Sequence, residues 1–253
     1  MRNVFEAVSF IRKMGCNKAC VVALVLLAAA AVRAENVTVS GRVELAGKAA
    51  KKNPAASAVV VWLTSLSNVP PGKVADNSST YPKLVQKNKS FEPHLLVVPV
   101  GATVEFPNAD PWFHNVFSLF DGKRFDLGLY EAGTSRKVHF DRAGISYIFC
   151  NIHSQMSAVV VVLDTPYYGI SRGAGTVSIP DVPPGRYRLN VWNEAALPDQ
   201  LNAVSRDVVI SESTPSVGVI HIAQTHDLLL SHKNKYGVEY DNPDPSNPIY
   251  TER

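Results

Sequence analysis

The chain has 253 residues, 46% of them hydrophobic and 19% charged, which is ample apolar content for a packed core. Its formal charge of +3 resides in the first 34 residues, where Arg2, Arg12, Lys13, Lys18 and Arg33 face only Glu6, and the remaining 219 residues carry −1. The basic balance therefore gives no ground for a nucleic-acid partner.

Residues 1–34 read as an export signal. Arg12, Lys13 and Lys18 precede an apolar run from Ala19 to Val32 that closes on Val32-Arg33-Ala34, a small-residue cleavage pattern, so cleavage is expected after Ala34. The run is too short to span a bilayer. The expectation is a periplasmic protein with no stable membrane insertion once the signal is removed. Cys16 and Cys20 leave with the signal, and Cys150 remains alone. A lone cysteine in an oxidising compartment has no internal disulfide partner, so it is buried, paired to another chain or bound to metal.

Beyond the signal the pattern is β. Val37, Val39, Val43 and Leu45 alternate, and Val59 to Leu63 is a continuous run rich in β-branched residues. Residues 65–82 are rich in Ser, Pro, Gly and Asn and read as a loop or linker. Further strands are expected at Leu95 to Val98, Ala102 to Phe106, Arg136 to Phe140, Gly144 to Cys150, Ala158 to Leu163 and Gly175 to Ile179. Tyr187, Leu189 and Val191 alternate again, and Val208 to Ile210 and Val217 to Ile222 follow. No amphipathic helix is evident. Short strands punctuated by Pro and Gly imply an all-β sandwich or barrel, and the polar tail from Ser231 onward is expected to be poorly ordered.

Cys150, His153 and Met156 form CxxHxxM at the end of the strand ISYIFC, and His114 stands 36 residues earlier in FPNADPWFHNVF, just past another strand. A thiolate, two imidazoles and a thioether are the ligand set of a blue-copper centre, with the Met as a weak axial ligand. Taken singly, each residue has a plain structural reading: a packed cysteine, a surface histidine, a core methionine. Together they are more telling, because ordinary residue frequencies would give CxxHxxM by accident in well under ~1% of chains this long.

Residues Leu84 to Asp164 resemble a complete small cupredoxin of the plastocyanin, pseudoazurin and amicyanin type. KSFEPHLLVVPVGATVEFPNADPWFHNVFS resembles the opening strands and first ligand loop, and GISYIFCNIHSQMSAVVVVLD the closing strands and second ligand loop. The two residues between His153 and Met156 match amicyanin. The resemblance implies a cupredoxin Greek-key β-sandwich and one mononuclear type 1 copper. His114, Cys150 and His153 would be its equatorial ligands and Met156 its axial ligand, with the Asn115 side chain tying the two ligand loops together. The whole chain after the signal is also similar to bacterial proteins labelled methylamine-utilisation or plastocyanin-like proteins.

GAGTVSIPDVPPGRYRLNVWNEA at residues 173–195 resembles the closing half of a carboxypeptidase regulatory-like β-sandwich module, and VSGRVEL with SAVVVWL its opening half. The expected organisation is a signal at 1–34, a first module part at 36–66, a linker at 67–82, a cupredoxin domain at 83–165, a second module part at 166–225 and a polar tail at 226–253. Asn193 stands where such modules often carry His, so no metal role is assigned there. His94, His139, His221, His226 and His232 lack the spacing of a second metal site.

These readings lead to an exported copper protein that carries single electrons, with another exported redox protein, such as a cytochrome c or a dehydrogenase, as its partner. The rival reading is a copper-handling or partner-docking protein without an electron-transfer role. Copper reductases and oxidases usually place a His beside the ligand Cys, whereas Phe149 and Asn151 flank Cys150, so no enzymatic activity is expected.

Overall fold

The computed structural model describes residues 35–46, 58–67, 81–119, 122–224 and 233–240. The expected export signal at 1–34, most of the expected linker, and His226 and His232 lie outside them. The described residues from Asn36 onward belong to one compact unit, and they are all-β apart from one short helix.

One sandwich occupies the middle of the chain. Its main sheet runs β5 (Leu95–Pro99), β11 (Ser157–Leu163), β10 (Gly144–Cys150), β7 (His114–Ser118) and β8 (Phe125–Tyr130). β5 lies parallel to β11, and the other pairs are antiparallel. β6 (Thr103–Pro107) pairs with β9 (Ser135–His139), and the hairpin of β3 (Val85–Lys87) and β4 (Ser90–Glu92) bridges to β6 and the residue after it through Lys83–Glu105 and Gln86–Asn108. Leu84, Phe106, Val116, Phe140, Ile148, Met156 and Val160 belong to its core. This is a β-sandwich, the all-β architecture that the sequence pattern implies.

The flanking strands make a second sandwich. β1 (Val37–Ala46) lies between β13 (Thr176–Val182) and β16 (Ser216–Ala223), and β2 (Val59–Ser65) lies between β12 (Tyr168–Ile170) and β14 (Gly185–Asn193), with β15 (Arg206–Ile210) on the far side of β14. Val59 to Leu63 pair with Asn193 to Leu189. Strands from before and after the middle sandwich therefore share sheets. Asn193 fastens this body: its Nδ2 donates to the Ala58 carbonyl at 3.1 Å, and its Oδ1 accepts from the Ala195 amide and Gln224 Nε2.

β11 joins the two bodies. Side chains alternate across a strand, so Ala158, Val160 and Val162 enter the middle core while Val159, Val161 and Leu163 enter the flanking one. A strand buried on both faces has no solvent side to mark with polar residues, which accounts for the unbroken apolar run AVVVVL. Leu95, Val97, Ile145 and Tyr147 extend the same contact.

A polar fastening crosses this seam. His94 Nε2 lies 2.7 Å from Glu194 Oε2, and Nδ1 lies 3.0 Å from the Ser157 carbonyl. Both partners only accept hydrogen bonds, so both ring nitrogens donate and the ring is an imidazolium. Its pKa is raised accordingly, the Glu194 hydrogen bond outweighing the cost of burial.

Two differences from the sequence expectation have physical causes. α1 (Pro198–Val204) begins with Pro198 in its first turn, and the Leu197 amide donates to Gln200 Oε1 at 3.1 Å; seven residues are too few for a helical period to register in the sequence. The tail is the second. Residues 233–240 fold against the middle sandwich, although low hydrophobicity suggested disorder, because polar bonds rather than apolar burial hold them.

Candidate metal centre

β10 delivers Cys150 as its last residue, where it pairs with Val116 of β7. His114 opens β7 and is fully buried; it begins a strand, whereas the sequence placed it in the preceding loop. Cys150 Sγ lies 3.6 Å from His114 Nδ1 and 3.6 Å from His153 Nδ1. Single ligand atoms of His114, Cys150 and His153 all lie within 4.8 Å of one another, so this group can hold a metal ion. The two imidazoles meet edge to face, with centroids 4.9 Å apart.

The second loop is short because it closes on itself. The Met156 amide donates to the His153 carbonyl at 3.1 Å, and the Cys150 amide donates to the Met156 carbonyl at 3.2 Å. Met156 is fully buried in the same core as Cys150. The Asn151 amide donates to the Asn115 carbonyl at 2.9 Å, so the two ligand segments are tied through backbone. The Asn115 side chain turns the other way, its Nδ2 donating to Asp126 Oδ1 at 2.6 Å.

Asp110 is a participant that sequence reasoning missed. Its Oδ2 accepts from His114 Nε2 at 2.9 Å, which fixes the proton on Nε2 and leaves the Nδ1 lone pair facing Cys150 and His153. The carboxylate is held in turn by the amides of Asn88 and Lys89. These residues form the tip of the β3–β4 hairpin, at φ 54° and 53°, and the left-handed conformation aims two successive N–H groups at one anion. Asn108 shapes the approach, accepting from the Asp110 amide and donating to the Trp112 carbonyl. The sequence signal was an Asp four residues ahead of a candidate ligand. Its partner amides, more than 20 positions away, could not be read.

Electrostatics favour lone pairs over protons on both imidazoles. Burial lowers the His114 pKa despite the opposing Asp110 hydrogen bond. Burial, followed by the facing His114, pushes His153 down to about 4. Asp110 stays ionised, because the Lys89 amide, His114 and the Asn88 amide together outweigh burial. Burial raises the Cys150 thiol, while the amides of Ile152, Asn115 and His153 favour the thiolate. A metal ion held by this group would take the place of the thiol proton.

The donor set fits copper. Two neutral imidazoles, one thiol aimed between them and a buried thioether nearby are soft to borderline donors, and no carboxylate belongs to the group. Hard ions such as calcium or magnesium call for oxygen ligands. The other histidines are otherwise engaged among the described residues: His94 at the seam, His139 with Thr103, and His221 with Glu44.

No protein-family model and no curated protein matches the chain. Several solved structures are similar to part of the chain. A purple cupredoxin from Nitrosopumilus maritimus shares 23% identity over 32% of this chain and 99% of its own, with a TM-score of 0.30. Amicyanin in a reduced Cu(I) form shares 23% identity over 41% of this chain and 98% of its own, with a TM-score of 0.32. A copper-containing nitrite reductase from Thermus scotoductus shares 20% identity over 48% of this chain, with a TM-score of 0.33, and the match spans 28% of the reductase. Likeness at this level speaks to fold alone. The presence of an enzyme among these proteins overturns the expectation, read from Phe149 and Asn151 beside Cys150, that the chain has no enzymatic activity, and that exclusion is withdrawn. Among the described residues, no helix is long and apolar enough to cross a membrane.

Proposed function

We propose that this chain is an exported type 1 copper protein that carries single electrons between periplasmic redox partners. One observation carries the reading: a buried thiol sulfur sits 3.6 Å from the Nδ1 atoms of two histidines whose burial keeps them unprotonated. His114, Cys150 and His153 would hold one copper ion, with Met156 as the weak axial ligand, and the bound ion supplies a one-electron Cu(II)/Cu(I) couple.

The protein's own part is rigidity and access. Cys150 and His114 end or begin strands of one sheet, and the backbone bond from Asn151 to Asn115 locks the segments that carry them. His153 alone of the four proposed ligands is partly exposed, so its ring edge is the route by which an electron reaches a partner. Phe113 beside His114 and Leu129 opposite Asn115 are more than half exposed and give that partner an apolar contact. A cytochrome c or a dehydrogenase is the partner class we propose, in a small and transient complex. The module split across 36–66 and 166–225 is read as the host of an inserted copper domain.

Full burial of Cys150, His114 and Met156 favours this reading over copper handling, which needs ligands that can be exchanged. The decisive measurement is a visible absorption and EPR spectrum after addition of one equivalent of Cu(II). An intense thiolate-to-copper band with narrow hyperfine splitting, abolished in Cys150→Ser, is the expected result. A colourless protein with an ordinary Cu(II) signal would sink the proposal.

A further inference from the structure

The tail segment from Asn234 to Tyr240 is built onto the candidate metal centre. Its turn is closed internally: Asn234 Oδ1 accepts from the Tyr236 and Val238 amides, the Asn234 amide donates to the Val238 carbonyl, and the Gly237 amide donates to the Asn234 carbonyl. Gly237 takes φ 75°, a conformation that favours glycine. A turn that folds on its own hydrogen bonds presents Lys235 and Tyr240 with little further loss of freedom.

Both of these residues reach the ligand segments. The Tyr240 hydroxyl donates to the carbonyl of Cys150 at 2.6 Å. The Lys235 amide donates to Asn151 Oδ1 at 2.9 Å, and its ammonium meets Asp126 Oδ2 at 2.7 Å. Asp126 Oδ1 in turn accepts from Asn115 Nδ2, and the Asn115 carbonyl accepts from the Asn151 amide. The bonds close a ring, Asn115 to Asp126 to Lys235 to Asn151 and back to Asn115. It joins β7, β8, the Cys150–Met156 loop and the tail, and two of its four members directly follow proposed ligands. Lys235 and Asp126 are only partly exposed at their side chains, 20% and 39%, so water competes incompletely for the pair.

We propose that Asn234–Tyr240 is an intramolecular clamp on the metal centre, in which Lys235 and Tyr240 are positioning residues that hold the Cys150–Met156 loop in its ligating shape. The proposal rests on the copper reading for its functional meaning, and the clamp itself is a property of the metal-free chain. Without the Lys235 ammonium the ring opens at Asp126, and the loop keeps its internal bonds, the Asn151–Asn115 tie, the Lys235 amide on Asn151 Oδ1 and the Tyr240 hydroxyl on the Cys150 carbonyl. Without the Tyr240 hydroxyl the Cys150 carbonyl loses that donor.

The test compares wild type, Lys235→Met and Tyr240→Phe in the full chain. Amide hydrogen exchange across residues 150–156 of the metal-free proteins reads the clamp directly. Each variant is expected to speed exchange of the Asn151 amide by roughly five- to tenfold, the effect of one lost hydrogen bond, with β5 and β14 unchanged. Unaltered exchange in both variants overturns the proposal. Copper-loaded proteins supply a second readout: a cation or an oriented O–H dipole beside the centre favours the reduced form, so both variants are expected to have a lower reduction potential and to release copper faster to a chelator. Equal potentials and equal release in all three proteins overturn the functional half. A wild type that takes up no copper defeats the electron-carrier reading, while the exchange comparison still decides the clamp.

Discussion

The two ends of β11 show opposite ways of fixing a structure. Along the strand, Val159, Val161 and Leu163 face one core and Ala158, Val160 and Val162 the other, and stability there comes from excluding water on both sides. Just before the strand begins, the Cys150–Met156 loop is fixed by directed contacts instead, through Asn151 to Asn115, His153 to Met156 and the tail's Lys235 and Tyr240. Apolar packing tolerates no charge but is indifferent to direction. A metal centre needs lone pairs aimed at one point, so it is built where hydrogen bonds can orient polar groups before the metal arrives.

The largest expected effect breaks the seam. Val161 is fully buried in the flanking core, and Val161→Asp places an unpaired carboxylate there. A loss of more than ~4 kcal/mol is expected, seen as collapse of the urea midpoint, and a folded variant of near-normal stability would show that the bodies do not rely on this contact. Asp110→Asn strikes the other region. The neutral amide can present either oxygen or nitrogen to His114 and attracts the Asn88 and Lys89 amides less, so copper affinity is expected to fall roughly 10- to 100-fold with little change in fold. Competition titration against a chelator checks this, and unchanged affinity would remove Asp110 from the centre.

Acid separates the two regions by sign. In the metal-free protein the folded pKa of His153, about 4, and that of His114 lie below the ordinary 6.5. The unfolded chain therefore binds protons first, and stability at the metal end is lost as pH falls from near 6.5, through about 4 for His153. His94 has the opposite sign: its folded pKa is raised, so its contribution is fully present below 6.5 and disappears as pH rises through the folded value. Glu194→Gln removes that opposing contribution and is expected to steepen the loss of stability on metal-free acidification from about pH 7 to about pH 5. Identical slopes in urea titrations of the two proteins would contradict it. The smallest change is Met156→Leu, close in volume and still apolar, which should cost under about 1.5 kcal/mol and shift the potential while copper remains bound. Loss of copper altogether would make the thioether a stronger ligand than proposed.

Much of this was legible in the chain. The strands of β1, β2, β5, β10, β11 and β14 follow from β-branched runs and alternation, and CxxHxxM with an upstream His includes His114, Cys150 and His153, whose ligand atoms the fold brings together. Residues 233–240 of the tail depart from the expectation of poor order for a physical reason. Composition predicts order through apolar burial, and residues 233–240 are held by polar bonds to partners about 80 to 110 positions away. β7 and β8 were missed because the bonds and packing that make them strands come from β10 and from each other, and His94 was unreadable for the same cause, since Glu194 lies 100 residues on.

The sequence by itself determined the β character and the donor types, because periodicity and side-chain chemistry are local properties of the chain. Only the tertiary structure decided that Asp110 orients His114, that β11 is shared between two cores, and that Lys235 and Tyr240 reach the Cys150 loop. Each of these depends on which distant segments come within a hydrogen bond or a van der Waals contact of one another, and that proximity exists only once the sheets have formed.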